Sequence, residues 1–337
     1  MPRHSLSEFQ GLSCPILDVR APVEFAQGHV PGALNLPLFT DEERARIGTA
    51  YKQVSQERAV HLGLEFFGPK MSRMVKQAQK LAPDKEVRLH CWRGGMRSGA
   101  VQWLLELAGF TVHLLDHGYK DYRRAVLTSF AQDRQWRVLG GFTGSGKTDV
   151  LHQLAATPGQ YVLGLEGLAQ HKGSAFGAIG QPAQPTQEQF ENNLAAALAA
   201  LPPNAPVWVE DESRQIGRLT VPAALFAQLH AAPRFVLEVP RAARVAKLAA
   251  EYGAEDPLLL AEAIERLRKR LGGLATQQAL AAVASADFPL MVELVLDYYD
   301  RTYTHGLAPR PGEPPRTVVP VAGCDAATNA AALLAAS

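Results

Sequence analysis

Cysteine is scarce in this chain of 337 residues: Cys14, Cys91 and Cys324 stand far apart and form no C-x-x-C pair. That spacing argues against a disulfide framework or a zinc site and fits a reducing cytosol. The ten histidines show no ligand spacing either. No run of about eighteen apolar residues exists, and Met1-Pro2-Arg3-His4-Ser5 leads into no apolar h-region. Membrane insertion and secretion are therefore not expected, and a cytoplasmic location is. An excess of one charge is missing too. The formal net charge is +1, so nucleic-acid binding would have to come from a local patch. No internal repeat is found. What remains is a globular chain too long for a single core, and two domains are expected.

Two phosphate-handling loops stand out against that plain background. The first is Cys91-Trp92-Arg93-Gly94-Gly95-Met96-Arg97-Ser98; the second is Gly141-Phe142-Thr143-Gly144-Ser145-Gly146-Lys147-Thr148. Short apolar runs over 15–19, 33–38, 87–90 and 111–115 read as strands, with helical character over 21–27, 40–82 and 98–108. Strands alternating with helices imply a parallel sheet. A second strand–loop–helix unit starts at 136–140, with further strands over 161–165, 207–210 and 235–239. Helices are expected over 186–201, 241–252, 257–271, 274–284 and 288–303. The expected division is 1–130, 131–306 and a Pro/Ala-rich tail, 307–337, that lacks periodicity and reads as loosely attached.

Cys91 is placed where a strand ends and a helix begins. Gly94 and Gly95 permit a tight loop with inward-pointing amides, and Arg93 and Arg97 lie nearby, a setting that should favour the thiolate. An inert core cysteine is the competing reading, but it needs neither the glycines nor the arginines. Cys91 followed after five residues by Arg97 also fits the Cys-x5-Arg pattern of cysteine phosphatases, although no convincing general acid lies near the loop.

The second loop is a complete G-x-x-x-x-G-K-[ST] sequence between a predicted strand and a predicted helix, the context that motif requires. Gly141, Thr143, Gly144, Ser145 and Gly146 would bring amides to phosphate oxygens, Lys147 would neutralise charge, and Thr148 would hold Mg2+. Val207-Trp208-Val209-Glu210-Asp211-Glu212 resembles a Walker B strand end, with Glu210 or Asp211 as a metal partner; a solvated acidic turn is the alternative. Glu166, His171 and Ser174 follow one strand, and Glu210, Asp211, Ser213 and Arg214 another, so both stretches belong at the sheet edge where α/β folds bind ligands. Arg266, Lys269 and Arg270 share one face of a predicted helix and form a candidate RNA patch, with a solvated face as the competing reading. Tyr298, Tyr299 and Tyr303 favour packing over base stacking.

The first loop, together with Asp18-Val19-Arg20, Glu24-Phe25 and Gly28-His29-Val30-Pro31-Gly32-Ala33, resembles a rhodanese domain. Its loop is one residue longer than in simple sulfurtransferases, which would suit a tetrahedral oxyanion such as phosphate or selenophosphate. Adding Gly48-Thr49-Ala50-Tyr51-Lys52-Gln53, the P-loop, His171-Lys172-Gly173-Ser174-Ala175-Phe176-Gly177 and Glu210-Asp211-Glu212-Ser213-Arg214, the chain from about residue 12 to about 305 resembles the tRNA 2-selenouridine synthase family. His117, in Asp116-His117-Gly118-Tyr119-Lys120, departs from the two glycines usual in similar proteins.

The resemblance implies an α/β fold, an N-terminal rhodanese-like parallel-sheet domain followed by a P-loop NTPase-like domain. It implies a transferase that converts 2-thiouridine at the tRNA wobble position to 2-selenouridine. Selenophosphate would be the selenium donor, acting through an S-geranyl intermediate made from geranyl diphosphate. Cys91, with Arg93 and Arg97, would handle the selenium, a selenenyl sulfide being one form it could take. Lys147 and Mg2+, with Thr148 and Asp211, would serve the diphosphate. A selenophosphate-supplying enzyme is a candidate partner. The main alternative is a P-loop kinase or NTPase with a fused regulatory rhodanese module.

Overall fold

The computed structural model describes residues 3–306 and 316–337. The chain divides into two compact units, Met1–Ser129 with Glu191–Ala196, and Phe130–Phe190 with Ala197–Ser337.

The first unit is built on a five-stranded parallel sheet in the order β1-β5-β4-β2-β3. Its strands are β1 (Arg3–His4), β2 (Ile16–Asp18), β3 (Leu34–Asn35), β4 (Glu86–His90) and β5 (Thr111–Leu115). Around it run α1 (Leu6–Gly11), α2 (Pro22–Gln27), α3 (Asp41–Gln53), α4 (Gln56–Phe67), α5 (Met71–Leu81), α6 (Met96–Leu107) and α7 (Gly118–Ser129). Helices on both faces of a parallel sheet bury its central strands, so Leu17, Leu89 and Val112 pack with Ala78 of α5 and Leu105 of α6. The polar stretch 40–82 folds as helices because it carries its own start signals. Thr40 and Glu43 form a reciprocal capping box at α3, and Ser55 caps α4. The expected strand over 33–38 shortens to β3. Asn35 spends its side-chain amide on the Asp18 and Arg20 carbonyls, and Leu36 and Leu38 hydrogen-bond back to Asp18 and Val19.

Asp18 and Arg20 explain their place in the rhodanese signature. Both are buried, the guanidinium bonds the carboxylate through Nε and Nη2 at 2.6–3.0 Å, and Nη2 also donates to the Gly28 carbonyl at 2.7 Å. The same guanidinium lies 3.7 Å from the centre of the Tyr119 ring. The pair locks the end of β2 to the Gly28 turn and to α7; it is architecture.

The second unit holds a parallel sheet in the order β12-β11-β6-β8-β7: β6 (Trp136–Gly141), β7 (Tyr161–Leu163), β8 (Val207–Glu210), β11 (Arg234–Glu238) and β12 (Arg316–Pro320). A small antiparallel hairpin, β9 (Gln215–Ile216) with β10 (Leu219–Thr220), follows β8. Its helices are α8 (Lys147–Ala155), α9 (Leu165–Ala169), the two ends of α10 (Gln187–Ala200, whose middle, Glu191–Ala196, counts with the first unit), α11 (Ala223–Ala231), α12 (Arg241–Tyr252), α13 (Pro257–Leu271), α14 (Gly273–Ala284), α15 (Phe288–Gly306) and α16 (Ala326–Ala336). One core lies under the sheet, around Leu139, Leu151, Trp208 and Leu237. Another joins α12 to α15 through Leu248, Ile264, Ala279 and Val292.

The loosely attached tail is a correction. Residues 307–315 lie outside the described residues, but β12 pairs with β11 over five positions and α16 buries Ala330 and Leu333 in the sheet core. The β-branched run Thr317-Val318-Val319 fits a pleated surface. Asp325, accepting from Thr328 N at 2.8 Å, caps α16. The surrounding Pro and Ala residues hide both signals.

Candidate active-site loops

In the first unit, β4 delivers Cys91 to its C-terminal end and α6 begins at Met96. Gly94 and Gly118 both have φ of +63°, and their backbones touch. A Cβ on Gly118 would stand 2.5 Å from the Cys91 carbonyl oxygen and from Gly94 N, and one on Gly94 would meet the Leu115 carbonyl at 2.8 Å. The close approach is stitched by Tyr119 N donating to Cys91 O and Lys120 N to Trp92 O, each at 2.9 Å. Cys91 is buried, with Sγ 3.1 Å from Ser98 Oγ, and that hydroxyl is 3.2 Å from the Gly95 carbonyl. Among the described residues, the amides from Trp92 to Ser98 donate to no acceptor in the chain. A run of unpaired amides before a helix start is an anion site beside a thiol.

The two arginines take separate courses. Arg93 is exposed. Arg97 turns to Glu24, 2.8 Å away, a carboxylate that also faces Arg44 at 3.6 Å. The positive field around the sulfur in this state comes from amides rather than from a pair of flanking guanidinia. His90, next to Cys91, is fully buried; among the described residues neither ring nitrogen makes a hydrogen bond of good geometry, Nδ1 lies 3.8 Å from Asp18 Oδ1, and burial pushes its pKa down against that charge.

An apolar groove opens beside this loop. Its volume is about 160 Å³, and Leu38, Phe39, Ile47, Tyr51, Leu64 and Met96 are among its walls, with Arg97 at the edge. Tyr51, Leu64 and Met96 expose more than half of their surface, so an apolar patch surrounds the opening.

In the second unit the P-loop leaves the central strand β6 and opens α8. Gly144 and Gly146 take φ of +82° and +74°, and a Cβ on Gly144 would strike Leu248 at 2.7 Å. Tyr303 Oη accepts from Gly141 N at 2.7 Å, and Ser145 N donates to Phe142 O. The amides of Thr143, Gly144, Gly146, Lys147 and Thr148 have no acceptor among the described residues and form the phosphate cradle. Arg244 braces the loop from outside: it is buried, bidentate with Asp300 at 2.8–2.9 Å, and donates to the Thr143 carbonyl at 3.2 Å. Ser145 is fully buried and, among the described residues, its Oγ has no hydrogen-bond partner. Lys147 Nζ rests on the Gly141 carbonyl at 3.0 Å.

A carboxylate cluster faces the start of α8. Thr148 Oγ1 donates to Glu166 Oε2 at 3.0 Å, the Glu212 carboxyl lies beside that of Glu166, and Glu210 Oε2 accepts from Leu165 N at 2.8 Å. Burial pushes the Glu210 carboxyl up to about 7, and burial, then the Glu166 charge, push Glu212 well above its ordinary range. Asp211, expected among the metal partners, instead pairs with Arg234 at 3.2 Å. The reason is the pleat: along an extended segment alternate residues share a side, so Glu210 and Glu212 face Glu166 while Asp211 turns the other way. Glu212 was missed, although that alternation was legible.

The remaining expected residues separate. His171 is half-buried, its ring wedged against Gly177 and Gly217, where a Cβ on either would come within 2.8 Å; burial pushes its pKa down, against the Glu166 charge. Ser174 accepts from Phe176 N and shapes the loop. Ser213 and Arg214 are exposed just before β9, Ser213 Oγ donating to Gln215 O. Arg266, Lys269 and Arg270 are exposed on α13, opposite its buried Leu260, Ile264 and Leu267; Arg270 reaches Tyr298 Oη at 3.2 Å. Tyr299 and Tyr303 spend their hydroxyls on Ala175 N and Gly141 N.

A family model described as the tRNA 2-selenouridine synthase AAA domain matches residues 134–314, and a rhodanese-like domain model matches residues 4–125. The chain is 37% identical over 335 residues to the tRNA 2-selenouridine synthase of Marinobacter nauticus, covering 89% of this chain and 90% of that one. It is 39% identical over 270 residues to that of Nitrosomonas europaea, covering 78% and 69%, and 35% identical over 329 residues to that of Aeromonas salmonicida, covering 87% of each. The chain belongs to the tRNA 2-selenouridine synthase family. His117 takes a backbone that glycine favours: its φ is +56°, and its amide donates to Asp116 Oδ1 at 3.0 Å. A histidine in that left-handed conformation costs energy on the order of 1 kcal/mol relative to glycine.

Proposed function

We propose that this protein is a tRNA-modifying transferase that replaces the sulfur of wobble 2-thiouridine by selenium in two steps. The observation that carries the reading is the pairing, in one chain of this family, of a buried thiol in a loop of unpaired amides with a complete P-loop cradle. In the first step the thiocarbonyl sulfur displaces diphosphate from geranyl diphosphate. In the second the selenium of selenophosphate adds to C2, geranyl thiol leaves, and hydrolysis of the P–Se bond releases phosphate. S-alkylation is needed because a thiocarbonyl sulfur is a poor leaving group and a thiol is a good one.

The P-loop amides and Lys147 receive the departing diphosphate and stabilise its charge. An oxygen-only set of Thr148, Glu166, Glu210 and Glu212, with two carboxyls pushed toward protonation by burial, fits a hard cation. Mg2+ held there would neutralise the diphosphate leaving group. The amides of the Cys91 loop suit the tetrahedral oxyanion of selenophosphate, with the thiol serving the selenium step. The apolar groove beside that loop gives the ten-carbon chain of the alkylated base a dry surface, which a sulfur- or phosphate-only substrate would not need. The exposed face of Arg266, Lys269 and Arg270 is offered to tRNA phosphates.

The test is mass spectrometry of nucleosides from 2-thiouridine tRNA incubated with the protein, geranyl diphosphate and selenophosphate. Both S-geranyl-2-thiouridine and 2-selenouridine are expected. ATP turnover without any change in the nucleosides would return the chain to the P-loop NTPase reading.

A further inference from the structure

The amino-terminal end of the first sheet carries a second group of chemically able side chains, at the opposite end of β4 from Cys91. Cys14 precedes β2, Glu86 begins β4 and His113 lies in β5; Sγ, a carboxylate oxygen and a ring nitrogen all fall within 4.8 Å of one another. Strand register makes this meeting. Ile16 stands beside Arg88, so Cys14, two residues earlier, reaches Glu86; Glu86 stands beside Thr111, and His113 shares the face of Thr111. In sequence the three are scattered over a hundred positions, which is why no ligand spacing is visible.

The imidazole of His113 is held at both nitrogens. Nε2 is 2.8 Å from Glu86 Oε1, and Nδ1 is 3.1 Å from His4 Nε2 on the edge strand β1. A histidine whose second nitrogen is fixed by a partner is the usual arrangement in a metal ligand. Arg88 donates from Nε to the Cys14 carbonyl at 2.8 Å and fixes the loop that presents the sulfur.

We propose that Cys14, Glu86 and His113 form a binding site for one divalent, thiophilic cation of the Zn2+ class, with water as fourth ligand and His4 orienting His113. A sulfur, nitrogen and oxygen set with an open position matches zinc's preferences. Tetrahedral bonds of about 2.0–2.3 Å need ligand atoms closer together than 4.8 Å, an adjustment the exposed Glu86 side chain can make. Binding releases the Cys14 thiol proton. His113 gives up any proton on Nε2 and keeps one on Nδ1, donated to His4 Nε2. The ion would fasten the two-residue edge strand β1 and the Cys14 loop to β4 and β5, away from the thiol loop.

The experiment is titration of the metal-stripped full chain with Zn2+ by calorimetry, and with Co2+ by absorption, where a thiolate-to-cobalt band reports a cysteine ligand. One ion per chain, the band, and a raised Tm are expected. Cys14→Ser should remove the band and weaken binding at least tenfold. Glu86→Gln, at an exposed position that leaves the fold intact, should weaken it about tenfold, and His4→Ala by a similar factor. The double variant Cys91→Ser, Cys324→Ser should bind as the wild type does. Absence of binding, or an ion that survives Cys14→Ser and Glu86→Gln but is lost in the double variant, would overturn the assignment.

Discussion

The thiol loop and the P-loop share one construction and differ in where the charge goes. Each leaves the C-terminal end of a parallel strand, turns through left-handed glycines, and opens a helix with a run of unpaired amides. In the P-loop the cation is part of the cradle: Lys147 starts α8 and lies along the loop. In the thiol loop Arg97 is tied to Glu24 and Arg93 is exposed, so the anion site is built from amides. Carboxylates cluster at the helix start of the P-loop, whereas at the thiol loop the carboxylate of Glu24 is taken up by Arg97. A highly charged diphosphate with a cation calls for the first arrangement; a single oxyanion next to a nucleophilic sulfur is served by the second.

Cys91→Ser tests the division of labour most severely. Selenium incorporation should fall on the order of a hundredfold or more, because the thiol beside the oxyanion site that serves the selenium step is gone, while geranylation persists. Mass spectrometry of the tRNA nucleosides reads both. Equal loss of the two products would erase the distinction between the loops.

Lys147→Ala is the converse. Geranylation should drop by roughly a hundredfold to a thousandfold, the range seen when one charge-stabilising donor is removed. Selenation of tRNA that already carries S-geranyl-2-thiouridine should be retained. If that step fails as well, the P-loop serves more than the diphosphate.

The glycine scaffold gives a stability test. Gly118→Ala puts a Cβ 2.5 Å from two backbone atoms at a φ of +63°, and neither atom is free to move. A loss of about 2–4 kcal/mol in chemical denaturation is expected. Gly99→Ala, in α6 with nothing within 4 Å, should be neutral or stabilising by up to about 1 kcal/mol. Similar costs at both positions would show that the thiol loop is not held by the Gly94–Gly118 contact.

Both loops were legible because their chemistry is local: a strand, a glycine turn and a helix start within eight residues. The β-strands that carry them were legible for the same reason. What stayed hidden depends on distant partners. Arg97 reads as a loop cation until Glu24 is seen to claim it, and Asp211 reads as a metal partner until Arg234 does. Tyr303, on α15, caps Gly141 across more than 160 residues. The strand β12 was obscured by composition, since a Pro-rich approach and an Ala-rich exit masked three β-branched residues. The apolar groove comes from α3, α4 and α6 together and has no signature in any one of them.

The smallest effect, and the one that separates the two sites electrostatically, concerns Glu210. In the folded chain burial holds this carboxyl at about 7, whereas in the unfolded chain it titrates near 4.5. Between those values the unfolded chain has released a proton that the folded chain still binds, so stability falls as pH rises, and the whole penalty is present above 7. The difference corresponds to at most about 3 kcal/mol. Glu210→Gln keeps an oxygen to accept from Leu165 N but cannot ionise. The variant should match the wild type near pH 4.5 and be more stable by on the order of 2–3 kcal/mol at pH 8, measured by denaturation without divalent cations. Mg2+ should narrow the gap by stabilising the wild type, and geranylation should be lower in the variant. A gap that is independent of pH would mean that Glu210 is destabilising for its shape rather than its charge, and the carboxylate cluster would lose its standing as a cation site.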